Sequence, residues 1–580
     1  MPGAAVGGSP AAALAATGPA GIAPVVAARY RPRCAEAPIA KTIAELSDEE
    51  FARVPRPMFT MRGRMTQKQF MEASTLTRPG AHYGLEFPFD FGSLRVAGAE
   101  WLTKAFHAAG TLPADNRVTE MKVVKLSEDA EAQDSMGGSG MKGLLIVEYE
   151  KPHPELHTRL FVKMPFPYAP ENERLRNSYT GIGDEGEINF LRLVAPLLPF
   201  PSTKFYFGDI SYETTNYILI EEEVPYKKTT WLDCGKDAKF EPFEIEPRII
   251  KFKEYELPND GADYYYVLMK AIAQMICAGH HGQLGDRGRL SEIFPVQIQP
   301  SPFCMQGWNV AKAAMAATGG KLALDPEAAM GWKAANENQV RVVDGLFGQL
   351  VQFIQNAPHL FPKELTQATF LKKYRQEALE IAHHMMEITM YQNVNPDFFG
   401  IIHPNLPCDN AYYWRDEGGE LHTGLLDWGG AGTMNIASMW NMSFIMCEEG
   451  MLRKHEKGLV QCFVDEIRKG DGPESITFDE VMFQLKLSQG IFSAQAGGVV
   501  MQLYKNHSKD KWKEMTGRWD PKINDRFSNR NYICSITNNL ACWKHRKVYD
   551  HFLKWWKANK SWFPDIDRKS FKMPAMAVKL

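Results

Sequence analysis

Between Ile401 and Gly429 the chain alternates apolar pairs with turn formers so closely that only short β segments fit. Ile401-Ile402 leads into His403-Pro404-Asn405-Leu406-Pro407-Cys408-Asp409-Asn410, and Leu425-Leu426 leads into Asp427-Trp428-Gly429. Proline and asparagine in such density mark turns. The stretch therefore reads as two β segments separated by a turn-rich connection. The first ends in a loop carrying one His and two Asn, and the second ends on an Asp.

Composition narrows the class without naming a function. The chain has 580 residues, 44% apolar and 23% charged, as in an ordinary globular protein. A net charge of −3 gives no reason to expect nucleic acid as a partner. Nine cysteines without a Cys-x-x-Cys pair argue against a disulfide framework or a structural zinc site, and for a soluble protein of a reducing intracellular compartment, cytoplasmic or organellar. No apolar run is long enough to span a bilayer. The nearest, Tyr264 to Cys277, is interrupted by Lys270 and reads as a buried helix. From Lys505 onward 18 Lys/Arg face 7 Asp/Glu, with Trp512, Trp519, Trp543, Trp555, Trp556 and Trp562 interleaved. This is read as a helical lobe with aromatic core positions and a solvated basic face, in preference to a surface for an anionic partner.

Residues 1–35 are rich in Ala, Gly and Pro and have no acid, so they read equally as a transit peptide or a low-complexity tail. Residues 36–97 look like an extension wrapped on a domain. A helix is expected from Gly98 to Gly110, then strands over Val118–Leu126, Leu144–Tyr149 and Arg159–Met164. The turn Gly137-Gly138-Ser139-Gly140 separates the first two strands. A helix over Glu185–Ala195 and strands over Lys204–Phe207 and Tyr217–Glu221 follow. Beyond Gly261 the pattern is helical, broken only by the two β segments above. The fold class expected is α+β: a small sheet lobe over 98–225 and a larger helical lobe over 226–580.

The spacing His-x-Asn-x-x-x-x-Asn over His403, Asn405 and Asn410, with Asp427 after it, resembles the aminoglycoside phosphotransferase, choline kinase and ecdysteroid-kinase-like families. Their pattern is His-x-Asp-x-x-x-x-Asn followed by Ile-Asp-Trp or Ile-Asp-Phe. The resemblance implies a two-lobed protein-kinase-like fold with ATP and Mg²⁺ between the lobes, where catalysis is positioning and charge neutralisation. It assigns Asn410 and Asp427 to Mg²⁺ and Gly138 and Gly140 to a phosphate-covering loop. Lys163 would contact phosphates and Glu187 would pair with it, Glu185 being the fallback. Glu221 to Val224 would form the hinge that meets adenine, and His403 would orient its loop.

One position departs from the pattern. The family's base aspartate is Asn405 here, and a neutral amide cannot take a proton from a substrate hydroxyl. Pro404 replaces the usual Gly, and Gly432–Met439 has none of the acids found downstream in the family. Asp409 is a weak substitute base because it directly precedes Asn410. The leading expectation is an ATP-dependent phosphotransferase acting, slowly, on a hydroxyl of a small organic acceptor, with His403 and Asn405 in the catalytic loop. The alternative is a nucleotide-binding pseudokinase or scaffold, and behind it a structural protein that binds no ATP. The pairs His280–His281 and His383–His384 point in different directions along helices and are not expected to bind metal.

Overall fold

Runs of β-branched and aromatic residues pair early in the chain. In the computed structural model residues 41–574 are described, apart from 59–60, 62–63, 127–139, 167, 169–183, 296–325, 394, 445–446, 564–565, 569 and 573. β1 (Val118–Lys125), β2 (Gly140–Tyr149), β3 (Arg159–Pro165), β4 (Phe205–Ile210) and β5 (Tyr217–Glu222) form an antiparallel sheet in the order β1-β2-β3-β5-β4. β4 and β5 are buried along their whole length, which explains why Tyr-Ile-Leu-Ile runs without a polar alternate. Gly138 and the tail over residues 1–35 lie outside the described residues.

Helix α1 (Phe91–Ala109) packs on β1 and β4. It begins earlier than expected because Asp90 and Ser93 form a capping box there, and Gly98 kinks it at φ 69°. Gly110 ends it in the left-handed conformation, as the sequence suggested. α2 (Asp184–Leu193) packs on β4. The segment before α1 is tied to this unit: Met58 N donates to Glu185 Oε2 at 3.1 Å, and His82 N and Tyr83 N donate to the Asp209 carboxylate at 2.9 and 3.1 Å.

The second half is helical, but its β part is larger than two segments. β6 (Phe399–Ile402) pairs with β9 (Gly432–Asn435), and β7 (Ala411–Arg415) with β8 (Leu421–Leu425), both antiparallel. Nesting one ladder outside the other lays the 403–410 loop against the 426–431 loop. α3 (Ala262–His280) backs β6 and β8. No helix among the described residues is long and apolar enough to cross a membrane.

The described residues form two large apolar cores and a small third one around Tyr412 and Trp414. Of the large ones, one joins the sheet to α3 and the β6–β9 region; the other, from Trp332 to Ile566, is formed by later helices including α4 (Phe527–His545). Trp512, Trp543 and Trp555 are buried in this second core, while Trp519 is exposed at 55%. Arg546, capping the end of α4, pairs with Glu456, a buried ion pair linking helix Glu449–Lys469 to this core.

α2 and the 426–431 loop touch through a glycine. A Cβ placed on Gly186 would lie 2.7 Å from Ala431 O, closer than a carbon can sit to a backbone oxygen. Gly186→Ala is therefore expected to cost about 1–3 kcal/mol by forcing helix and loop apart, read as a lower urea midpoint. An unchanged midpoint would mean that this contact is loose.

Candidate active site

The two nested loops are stitched by a histidine. His403 is fully buried, and burial pushes its imidazole down to about 4, so the ring is neutral. Its Nε2 lies 2.9 Å from Leu426 O and its Nδ1 lies 3.3 Å from Asn405 N. A carbonyl can only accept and an amide N–H can only donate, so the proton is on Nε2. Both nitrogens are spent on holding the loops. Leu426 N closes the seam onto Asn410 O at 3.1 Å. Trp428 stacks on Phe190 of α2 with centroids 3.9 Å apart and donates its Nε1 to Ser202 Oγ at 3.0 Å, which anchors the loop to the sheet side.

This seam places three charges together. Lys163 Nζ on β3 meets Glu187 Oε2 on α2 at 2.6 Å and Asp427 Oδ1 at 3.4 Å. Lys163 and Glu187 are buried. Burial works against the lysine's charge, but Glu187 and Asp427 outweigh it and hold the ammonium well above its usual range. Burial likewise opposes the Asp427 charge, and the ammoniums of Lys163, Lys142 and Lys251 outweigh it, holding that carboxyl well below the carboxylate range. Asp427 sits at φ 60°, a left-handed turn that Asp tolerates better than most residues. Glu185, the fallback partner, is engaged elsewhere with Tyr212 Oη and Met58 N.

Sequence reasoning missed two lysines. Lys142 is the direct cross-strand partner of Lys163, so their side chains share one face of the sheet. Burial, helped by Lys251, Lys163 and Arg248 and opposed by Asp427, brings Lys142 down to about 7. The strand register could have revealed it. Lys251 lies in an irregular stretch with no local signal and arrives only through tertiary packing.

Around the catalytic-loop position, Asn410 Nδ2 donates to Asn405 O at 2.8 Å. Asn405 Oδ1 is buried and meets no hydrogen-bond donor among the described residues. Mg²⁺ needs oxygens approachable to about 2.1 Å. Asn410 Oδ1 instead accepts from Lys251 Nζ at 3.0 Å, and the same ammonium pairs with Asp409 Oδ2 at 2.6 Å. With Lys163 on Asp427, an ammonium already faces each expected metal ligand. The pair as arranged does not fit a bridging divalent ion. The ion pair also removes Asp409 as a substitute base.

Two further expectations are relocated. Gly140 opens β2 instead of lying in a turn: a Cβ there would come 2.4 Å from Met164 O and 2.2 Å from Tyr217 Oη. Glu221 turns its carboxyl inward onto Thr203 Oγ1, while Glu222 N and Glu223 N are committed to Lys204 O and Arg159 O at 2.9 and 3.2 Å. In the expected hinge, Val224 is buried and its carbonyl accepts from Tyr226 N at 2.9 Å.

No protein-family model and no curated relative matches the chain. Solved structures do. Spectinomycin phosphotransferase in complex with ADP and spectinomycin matches at 9% identity and TM-score 0.28, over 73% of this chain and 94% of its own. A choline/ethanolamine kinase family protein from Mesorhizobium loti matches at 9% and 0.27, over 72% and 91%. An ethanolamine kinase of Plasmodium vivax matches at 11% and 0.28, over 70% and 84%.

The buried pair dictates an asymmetric mutational response. Lys163→Met strands the Glu187 carboxylate and is expected to cost about 3–5 kcal/mol, whereas Lys163→Met with Glu187→Gln recovers most of it, by urea unfolding. Equal losses in the single and double variants would show that the pair contributes little.

Glu221 supplies a pH signature. Burial and the nearby Glu187 charge push its carboxyl up to about 8 from an ordinary 4.5. The folded protein thus keeps a proton that the unfolded chain releases, so this group's contribution is present below 4.5 and is lost as pH rises through about 8. Glu221→Gln is expected to match wild type below about pH 4.5, to gain on it as pH rises from there to about 8, and to keep that lead at higher pH, by thermal melts across the range. A constant offset would exclude this titration.

Proposed function

We propose that the charge cluster of Lys163, Glu187 and Asp427 binds the phosphates of ATP, and that the protein is a nucleotide-binding module of the small-molecule-kinase type without efficient turnover. The observation that carries this reading is the buried Lys163–Glu187 pair at 2.6 Å, with Asp427 at 3.4 Å from the same ammonium. A lysine fixed between two carboxylates is a preorganised charge for phosphate oxygens. Lys142, on the same sheet face, adds a second.

Among the described residues of the 403–410 loop, none is left free as a proton acceptor. Asn405 is neutral, His403 spends both nitrogens on backbone groups, and Asp409 is tied to Lys251. Loss of a general base alone costs about 10²–10⁴ in rate. The second reading, slow transfer of the γ-phosphate to a hydroxyl of a small organic acceptor, is favoured by the retained loop geometry. Asn405 and Asn410 are joined at 2.8 Å, which would still orient an acceptor.

The test is phosphate transfer from ATP to a panel of small alcohols, amino alcohols and sugars, alongside thermal stabilisation by ATP. Stabilisation is expected in wild type and is lost in Lys163→Met/Glu187→Gln, which removes the phosphate-facing ammonium, with transfer from wild type at least about 10²-fold slower than a kinase of ordinary rate. Turnover at roughly 1–100 s⁻¹ would overturn the module reading in favour of the phosphotransferase. Absence of any ATP effect on stability would overturn both.

A further inference from the structure

Lys251 is held in place from several sides. Its carbonyl accepts both Nε and Nη2 of Arg530 on α4, at 3.2 and 2.8 Å, and that guanidinium also bonds Asn524 O. The next residue, Phe252, takes φ 60° and stacks on Phe527 with centroids 5.3 Å apart. The backbone at 251–252 is therefore clamped to the second core, and the side chain reaches from there into the seam of the candidate site. Lys251 is 9% exposed, and its Nζ lies 2.6 Å from Asp409 Oδ2, 3.0 Å from Asn410 Oδ1 and 6.0 Å from the Phe527 ring centre.

The chemistry at this point is that of a cation among oxygens, with the cation covalently attached. An ammonium has three N–H donors: among the described residues one goes to Asn410 Oδ1, and the Asp409 carboxylate faces the ammonium at 2.6 Å as an ion pair, not as a hydrogen bond. A donor is left for an oxygen from outside the protein. Asp427 accepts from Lys163 at 3.4 Å, and Lys142 lies directly opposite Lys163 in the sheet register, so a further lysine stands near the same carboxylate. A divalent ion placed on Asn410 Oδ1 would have to share that oxygen with an ammonium in a partly dehydrated site, where like charges repel strongly.

We propose that Lys251 is the resident cation of this site, standing where a divalent ion would, and that the site binds a polyphosphate chain without Mg²⁺. For ATP as the polyphosphate this rests on the nucleotide reading above. Lys251 gives a remaining N–H to a phosphate oxygen, Lys163 and Lys142 cover the opposite side, and Asp409 balances the added charge. The competing explanation is that Lys251 only neutralises buried Asp409.

The experiment is calorimetric titration of the full chain with ATP and, separately, with tripolyphosphate, each in EDTA and in excess Mg²⁺. Both ligands are expected to bind in EDTA, and Mg²⁺ is expected not to tighten either. The variant Lys251→Met/Asp409→Asn removes cation and counter-charge together and leaves no buried charge unpaired. It is expected to bind both ligands about 10- to 100-fold more weakly in EDTA, the worth of one charge-assisted contact. Wild-type affinity in that variant would reduce Lys251 to a counter-ion and overturn the proposal. Wild-type binding of ATP only with Mg²⁺ would also overturn it and leave the nucleotide reading intact. If tripolyphosphate binds in EDTA while ATP binds in neither condition, the nucleotide reading falls and the tethered cation stands; if neither ligand binds, both fall. Should the double variant fail to fold, the metal dependence of wild type decides alone.

Discussion

The salt bridge between Lys163 and Glu187 is the constraint on which the rest of the structure is arranged. Burying two opposite charges costs several kcal/mol per ion before their attraction is counted, so the pair persists only where the surroundings supply further compensation. Here the compensation is structural as well as electrostatic. β3 fixes the lysine in the sheet, α2 carries the glutamate, and the 426–431 loop brings Asp427 to the same ammonium. Gly186 lets the helix approach that loop, and Trp428 between Phe190 and Ser202 keeps it there. Sheet, helix and loop therefore share one charge centre, and displacing any of them leaves a buried charge unpaired.

Most of this was legible where the signal is local. Alternation placed the strands to within a few residues, Gly110 marked the end of α1, and a single Lys at the end of an apolar strand with an acidic helix after it pointed to Lys163 and Glu187. What escaped is non-local. The Asp90–Ser93 cap was hidden because Gly98 interrupts the helical period behind it. The second expected segment, at Leu425–Leu426, falls at the end of β8, whereas β7 and β9 escaped, and β9 pairs with β6 about thirty residues away. Glu221 and Glu222 were expected at a hinge that meets adenine, yet both carboxyls are buried in the sheet, with a threonine hydroxyl and a backbone amide as partners. Consecutive acids give no sign of such a setting, since burial depends on neighbours far along the chain. Lys251 is the extreme case: its position follows from Arg530, nearly three hundred residues away in sequence.

The changed base position and the added lysine have a common physical reading. In a site whose chemistry is phosphoryl transfer, a carboxylate base near the metal oxygens helps offset the charge of a divalent ion. Replacing that carboxylate by Asn405 removes one negative charge, and a site depleted in this way holds a monovalent cation more readily than a divalent one. Lys251 with Asp409 supplies that arrangement from the chain itself: one positive charge, one counter-charge and an amide oxygen, in fixed geometry. Asn405 Oδ1, buried without a donor among the described residues, then marks the place where a polar ligand group would complete the seam. Both departures lower the site's capacity for proton abstraction, while the Lys163 side remains suited to phosphate oxygens. Under the proposed reading, the arrangement would hold a polyanion more readily than turn it over.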